Sequence, residues 1–164
     1  MLTRAGGDGQ LVVLSLGAGV QSTTLALMAK AGDTPMPDCA IFADTGWEPI
    51  TVYQHLASLK AMLPFPVILV GKGNIRDDLL SATAARLASI PWFLRMPDGR
   101  AAMGQRQCTK EYKLRPIQLE IRRQLADRGS RQAEVWIGIS VDEAHRMKPA
   151  RVQYIKNRWT LIER

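Results

Sequence analysis

The sequence has only two cysteines among its 164 residues, Cys39 and Cys108. Neither belongs to a C-x-x-C pair, so the chain cannot form a disulfide scaffold or build a standard zinc or iron–sulfur site by itself. An iron–sulfur cluster would need additional cysteines, and Cys108 could be a metal ligand only with further ligands from outside this chain. Cys39 lies in an apolar run and is interpreted as a core residue.

Long hydrophobic runs are also missing, since no apolar stretch approaches the roughly 20 residues that span a bilayer. The first seven residues, M-L-T-R-A-G-G, lack the apolar centre of a secretion signal. We therefore expect no membrane association and a cytoplasmic location. A composition of 46% hydrophobic and 23% charged residues is typical of a globular protein. Residues 1–10 are predicted to be a flexible lead-in and residues 11–164 a single domain.

Acidic residues are scarce relative to basic ones in the second half of the chain, where the net charge of +7 is concentrated. Residues 95–131 carry ten Lys or Arg against four Asp or Glu, whereas residues 1–94 carry six against seven. Such a surplus favours a phosphate-rich ligand, or nucleic acid bound weakly and without sequence preference. The alternative is a solvated basic helix face.

The most informative stretch, residues 11–28, is an apolar run that is interrupted by glycines and resumes with helical spacing. It predicts a strand, a tight turn and a helix. Gly17 and Gly19 permit positive φ and close approach of the backbone, and residues 22–24 place hydroxyls where the first N–H groups of the helix point outward. An anion is expected there, although the hydroxyls could also cap the helix. The alternative is a glycine-rich turn without a ligand.

This turn lacks the lysine of a Walker phosphate loop and the third glycine of a dinucleotide fingerprint. The sequence G-A-G-V-Q-S over residues 17–22 instead resembles the S-G-G-x-D-S pyrophosphate loop of the PP-loop superfamily, the adenine nucleotide α-hydrolase-like proteins. Gly17 and Gln21 replace the serine and aspartate of that motif. These departures concern catalysis more than phosphate binding, because backbone groups form most of the cradle.

A second loop, D-T-G-W-E-P over residues 44–49, follows the predicted strand 39–43. Because parallel strands end at the same edge of a sheet, Asp44 and Thr45 are expected to face Gly19. The loop resembles the D-T-G segment of phosphoadenylylsulfate (PAPS) reductase-like proteins. That resemblance implies that backbone at this strand end contacts adenine. The alternative is an Asp/Gly turn that caps the next helix.

Residues 106–116 form a basic segment that leads into an amphipathic helix. They resemble the C-T-x-x-x-K-x-x-P signature of the same group, in which one cysteine precedes a cationic helix start. Arg106 and Lys110 are predicted to contact the ligand. Cys108 lies near several cations that favour the thiolate, so it is the candidate catalytic residue or metal ligand.

A fourth loop, residues 138–148, follows the predicted strand 134–139 and resembles the G-x-x-x-x-E-x-x-R loop of the family. In that family, arginine or lysine side chains hold the sulfate or phosphate end of the nucleotide. Arg146 suits bidentate binding of an oxyanion, and Lys148 adds positive charge.

The remaining segments alternate between helices and strands. We predict a helix over 51–61, a strand over 67–70, and a helix over 75–87 that begins at Asn74. The segment around Asp-Gly at 98–99 is predicted to be either a hairpin or a mobile flap. The side chains expected to face the sheet are Val52, Leu56, Leu59 and Met62 in the first helix and Leu79, Leu80, Ala84 and Leu87 in the second. This alternation predicts a doubly wound α/β fold with a mainly parallel sheet and helices on both faces.

Taken together, the four segments are similar to those of short phage and bacterial PAPS reductase-like proteins. The resemblance implies a Rossmann-like PP-loop domain that binds ATP or PAPS, with Mg²⁺ as an accompanying ion, and acts at the α-phosphoryl or sulfonyl group. A thioredoxin-like thiol donor and a homodimer are the partners considered, and we expect the cysteine-containing C-terminal tail of the reductases to be missing. The alternatives are a PP-loop enzyme of nucleic-acid sulfur modification and a nucleotide-binding module without turnover. The residues predicted to bind the nucleotide are Ser15, Leu16, Gly17, Ala18, Gly19, Val20, Gln21, Ser22, Thr23, Phe42, Ala43, Asp44, Thr45, Gly46, Arg106, Lys110, Gly138, Ile139, Ser140, Asp142, Arg146 and Lys148.

Overall fold

A computed structural model of the chain describes residues 5–6, 9–81, 93–103 and 109–163. The strands in this part are β1 (Leu11–Ser15), β2 (Cys39–Asp44), β3 (Val67–Gly71), β4 (Phe93–Arg95), β5 (Ala101–Met103), β6 (Ala133–Ile137) and β7 (Ile155–Arg158). The α-helices are α1 (Val20–Ala31), α2 (Ile50–Met62), α3 (Ile75–Leu80) and α4 (Arg115–Arg128), with a π-helix at Thr109–Leu114 and a 3₁₀ helix at Val141–Arg146.

Five of these strands form a parallel sheet in the order β3-β2-β1-β6-β7. In the register of this sheet, Val13 lies level with Cys39 on one side and with Val135 on the other. The chain fills one half of the sheet through β2 and β3 and the other half through β6 and β7. The strand order therefore reverses between β1 and β6, where sheets of this kind form a ligand crevice at the carboxyl ends of the strands.

The sheet is covered on both faces because its central strands are apolar throughout. Residues 11–14 of β1 are all buried, as expected for a strand between two helix layers. The even-numbered side chains of β1 pack with Leu25 of α1 and Leu56 of α2, and the odd-numbered ones pack with Ile121 of α4. The predicted doubly wound α/β fold is confirmed.

Two helices differ from prediction. In α2, Met62 was expected to share the buried side of the helix, but it is 42% exposed. The following residue, Leu63, is buried instead. The third helix ends at Leu80, which is 66% exposed rather than packed on the sheet. Within α3 only Ile75 is buried, so packing against the rest of the protein stabilises this helix little. Residues 82–87 of the predicted helix lie outside the described residues.

The hairpin is confirmed and one strand was missed. Strands β4 and β5 pair antiparallel around Gly99, whose φ of 81° is left-handed, while the Asp98 carboxylate accepts the Arg100 N–H at 3.1 Å. Strand β7 was not predicted, since I-K-N-R is short and half charged. Those charges suit its position as the outer strand of the sheet.

No helix within residues 5–6, 9–81, 93–103 and 109–163 combines the length and the apolar character that crossing a membrane requires.

Candidate functional site

Three loops leave the carboxyl ends of β1, β2 and β6 and therefore lie at one edge of the sheet. The loops after β1 and β6 touch through their backbones. A Cβ added to Gly138 would lie 2.7 Å from the amide nitrogen of Ser22 and 2.8 Å from the carbonyl carbon of Gln21. Only glycine permits this approach. Gly138, the residue after β6, therefore lets the first turn of α1 pack directly against this loop at the switch point.

The turn after β1 takes its shape from Ala18 rather than from its glycines. Ala18 has a φ of 53°, which is left-handed, whereas Gly19 has a φ of −88° and a ψ of 175°. Gly17 and Gly19 permit positive φ, but neither of them adopts it in this turn. A Cβ in the left-handed region is strained by roughly 1–2 kcal/mol. Strain of this kind is common at functional sites.

The hydroxyls near the start of α1 are all engaged within the protein. Buried Ser22 accepts the N–H of Gly17 and donates to the carbonyl of Gly19, each at 3.2 Å. Thr23 lies 3.1 Å from His55 Nε2, and Thr24 donates to a carbonyl one turn earlier in the helix. Ser22 thus closes the turn, and none of the three hydroxyls caps the first N–H groups of α1.

The start of α1 is consequently open. Gly19 is the N-cap residue and has no side chain that could cap the helix. The first N–H groups of an α-helix have no partner within the helix. A Cβ on Gly19 would meet no atom of the described residues within 4 Å, and the first turn contains no acidic residue. An anion could approach these N–H groups at the positive end of the helix dipole.

Glu143 ties the loop after β6 to this turn. Its carboxylate accepts a hydrogen bond from Gln21 Nε2 at 3.2 Å and forms an ion pair with Arg146. The predicted residues Gln21 and Arg146 are thereby brought together through a residue to which the sequence analysis gave no role. Its place in the G-x-x-x-x-E-x-x-R spacing, one 3₁₀ turn before Arg146, was the available signal.

The other predicted residues of this loop are placed differently. A hydrogen bond from Ser140 lowers the pKa of the Asp142 carboxyl, so Asp142 is ionised near neutral pH. Lys148 is exposed, and its carbonyl accepts Asn157 Nδ2 at 2.9 Å. Ile139 is buried. Three further predicted residues near the ends of β1 and β2 are buried as well: Leu16, Phe42 and Ala43. All four residues can therefore offer a ligand only backbone groups.

The D-T-G loop after β2 is a closed turn. The Asp44 carboxylate accepts the Gly46 N–H at 2.7 Å and the Tyr53 hydroxyl at 2.8 Å. Gly46 has a φ of 70°, and a Cβ there would lie 2.9 Å from the Cα of Asn74. Partial burial and the neighbouring Asp44 carboxylate raise the pKa of Tyr53. The N-cap of α2 is Pro49, so Asp44 caps its own turn and not the next helix.

A pair of charged side chains joins this loop to the π-helix. Thr45 is buried and donates to Glu48 at 3.1 Å, and Glu48 forms an ion pair with Lys113 Nζ at 3.0 Å. The sequence did not predict Lys113 as a site residue. Lys110 is exposed and forms no ion pair within the described part of the chain.

Two predicted residues of this segment, Arg106 and Cys108, lie outside the described residues.

A second set of contacts fixes the π-helix from the side of β3 and α3. Lys72 pairs with Glu111 at 3.3 Å and lies 4.7 Å from the centroid of the Tyr112 ring. The Tyr112 hydroxyl donates to Asp78, and the side chain is only 1% exposed. Burial, followed by the Asp78 carboxylate, raises the pKa of Tyr112. This irregular helix, a form frequent at functional sites, is thus held through residues 111–113 from two sides, by the D-T-G loop and by β3 and α3.

An open cleft of about 400 Å³ lies beside the D-T-G turn. Its lining residues are Asp44, Gly46, Leu69, Val70, Gly71 and Gly73. The cleft combines an apolar wall with one carboxylate, as small-molecule sites commonly do.

The described residues offer no ready metal centre. No group of three or more His, Cys, Asp or Glu among them is arranged to hold a metal ion. Cys39 is a core residue as predicted, in contact with Gln124, and burial raises the pKa of its thiol to about 11. Such a thiol is inert rather than metal-binding.

The structure thus establishes a Rossmann-like doubly wound fold with an uncapped helix start at its switch point. No family model matches the chain, and no curated protein matches it significantly.

Proposed function

We propose that this chain binds an adenine nucleotide, ATP or PAPS, with its phosphate or sulfate groups against the start of α1. The observation that carries the proposal is the open space before Gly19, at the uncapped end of a helix that lies at the switch point. Phosphates bind readily at such helix ends, because the N–H groups and the helix dipole both favour negative charge.

The resemblance to the PP-loop motif supports the same ligand. The motif has glycine at the position of Ala18, and Ala18 adopts the left-handed conformation that glycine tolerates best. The backbone of this loop thus has a shape in keeping with the motif despite the alanine.

Side chains on the neighbouring loops would complete the site. Arg146 and Lys148 would add cations for the far phosphate or sulfate group. The cleft beside Asp44 would take the nucleoside, since its carboxylate can accept a hydrogen bond from an amine or a ribose hydroxyl while Leu69 and Val70 offer apolar contact.

The reaction proposed for this site is attack at the α-phosphoryl or sulfonyl group. With ATP, an acceptor would bond to the α-phosphorus as pyrophosphate leaves; with PAPS, a thiolate of a dithiol would bond to the sulfonyl sulfur as adenosine 3′,5′-bisphosphate leaves, and the second thiol would release sulfite as the disulfide forms. Negative charge develops on the oxygens of that group, and preorganised N–H groups of α1 would stabilise it. In the reductase form of this proposal, a thioredoxin-like protein would supply the thiol.

The accompanying groups fit this site to different degrees. Mg²⁺ usually binds through substrate phosphates and one or two carboxylates. Asp142, ionised beside the turn, fits that role, so Mg²⁺ would enter with the nucleotide. Buried Cys39 does not fit an iron–sulfur cluster, and no step is assigned to one.

A thermal-shift experiment with ATP, PAPS and GTP tests the proposal. An adenine nucleotide at a hundred times its Kd should stabilise the fold by roughly 3 kcal/mol. Gly19→Val should abolish this shift, since its side chain would occupy the open space. Without ligand the variant should lose no more than about 1 kcal/mol, which is the scale of an N-cap change.

The absence of any shift with an adenine nucleotide would overturn the proposal, as would an undiminished shift in Gly19→Val. Binding without turnover would identify a nucleotide-binding module instead of an enzyme.

A second candidate is ATP-dependent sulfur modification of nucleic acid. It is favoured by Arg115 and Arg122, which are exposed on α4 and form no ion pair within the described residues, and by Trp47, which is 51% exposed in the D-T-G loop. Cations and exposed aromatic rings together are typical of single-strand binding.

A further inference from the structure

Among the described residues, no strand pairs with the outer edge of β3. β3 is the last strand on its side of the five-stranded sheet, and its sequence V-I-L-V-G carries no charge. The opposite outer strand, β7, exposes Lys156 and Arg158. Charged residues on an edge strand hinder pairing with another chain, and an uncharged edge permits it.

The middle residue of β3 is also poorly covered. Leu69 is 48% exposed, although Val67 on the same face is buried. Ile68 and Val70, on the other face, pack against the core beneath α4. An apolar side chain that is half exposed at the centre of an uncharged edge is suited to contact with another strand.

We propose that β3 pairs antiparallel with β3 of a second copy, so that two sheets join into one of ten strands. Identical strands that pair in this way satisfy each other's N–H and C=O groups. Full pairing of Val67–Gly71 places Leu69 opposite Leu69 of the partner subunit, and each side chain buries the other. The same pairing through β7 would set Lys156 opposite Asn157 and Arg158 opposite Ile155, so that edge offers no apolar residue opposite its own copy.

This arrangement reaches the cleft beside Asp44. Antiparallel pairing sets the partner subunit's Val67 opposite Gly71, one of the residues that line the cleft. The second copy thus borders the cleft on the β3 side. The interface does not depend on a nucleotide, so the proposal stands or falls separately from the proposed function.

Light scattering and sedimentation over a wide range of protein concentration test the pairing. A five-residue edge buries less than the roughly 1,600 Å² of a standard interface, so we expect a reversible dimer whose mass rises with concentration to twice that of one chain. Leu69→Lys and Leu69→Glu should each be monomeric, because like charges directly opposite each other destabilise a strand pair. An equimolar mixture of the two variants should recover the dimer.

Controls separate pairing from folding. Lys156→Glu on the opposite edge should leave the dimer unchanged. Both Leu69 variants should keep the far-ultraviolet dichroism of the wild type, because the side chain is already half exposed.

The proposal is wrong if the wild type stays monomeric at every concentration or if the single Leu69 variants still dimerise. A mixture of the two charged variants that remains monomeric would equally contradict it, since opposite charges at that position should attract.

Discussion

At the scale of single residues, the turn after β1 shows how a local conformation can depart from the residue expected to adopt it. The two glycines suggested the left-handed positions, yet Ala18 has the positive φ. Gly19 is extended and leaves space open before the helix. The glycine pattern predicted the turn but not which residue adopts positive φ, and the Ser22 hydroxyl accepts the Gly17 N–H within this turn.

Ala18→Gly should stabilise the protein. Relief of the left-handed strain, about 1–2 kcal/mol, exceeds the entropy that glycine adds to the unfolded chain, so the free energy of unfolding should rise by about 0.5–1 kcal/mol. Urea denaturation measures the change. The matched control is Ala31→Gly at the last residue of α1, which is exposed and has helical φ, and it should lower the free energy of unfolding by no more than about 0.5 kcal/mol instead of raising it. A loss of stability in Ala18→Gly would contradict the strained conformation.

At the scale of elements, the sequence predicted what short-range patterns determine. The apolar runs of β1 and β2 mark buried strands, and Gly32 ends α1 with a left-handed φ of 84°, as glycine commonly does at a helix C-terminus. Strand β7 escaped prediction because its polar residues are tolerated only through its position at the sheet edge. The length of α3 was overestimated, since the helix ends at Leu80 and Ser81 is extended.

The links between loops could not be predicted, because they join residues that are far apart in the sequence. Glu48 pairs with Lys113, and Gln21 bonds to Glu143. The motif spacings placed these segments at one edge of the sheet, but only the fold determines which side chain of each segment meets its neighbour.

The π-helix should make stability sensitive to alkaline pH through Tyr112. The pKa of Tyr112 in the folded protein is raised above the unfolded value of about 10. Tyr112 therefore contributes fully to the free energy of unfolding below pH 10, and this contribution is lost as the pH rises further. Tyr112→Phe should lower the free energy of unfolding by about 1 kcal/mol at neutral pH, through loss of the hydrogen bond to Asp78. The variant should also lose stability less steeply above pH 10. Denaturation series at neutral and alkaline pH measure both effects, and equal alkaline slopes in the two proteins would contradict this role.

At the scale of the whole molecule, the positive charge and the switch point belong to different surfaces. The proposed phosphate site uses backbone groups of α1 and the two cations after β6. The exposed arginines of α4 lie on the helix layer that covers the opposite face of the sheet from α1. Any ligand that binds those arginines would therefore be a partner in addition to the nucleotide. The alternative is that they are solvated surface charges without a ligand.

Nucleic-acid binding by this surface should depend on the arginines without ion pairs and not on total charge. If about three phosphates are neutralised, the affinity for labelled single-stranded DNA should fall roughly 10–20-fold for a fourfold rise in salt. Replacing Arg115 and Arg122 together with glutamine should flatten the plot of log affinity against log salt by about 1.4. Arg123→Gln is the matched control, because Arg123 already pairs with Glu120 and Asp127 at 2.7 Å each and its removal should change the slope little. If Arg123→Gln flattened the plot as much as the double variant does, the binding would follow net charge alone, and α4 would be an ordinary solvated basic face.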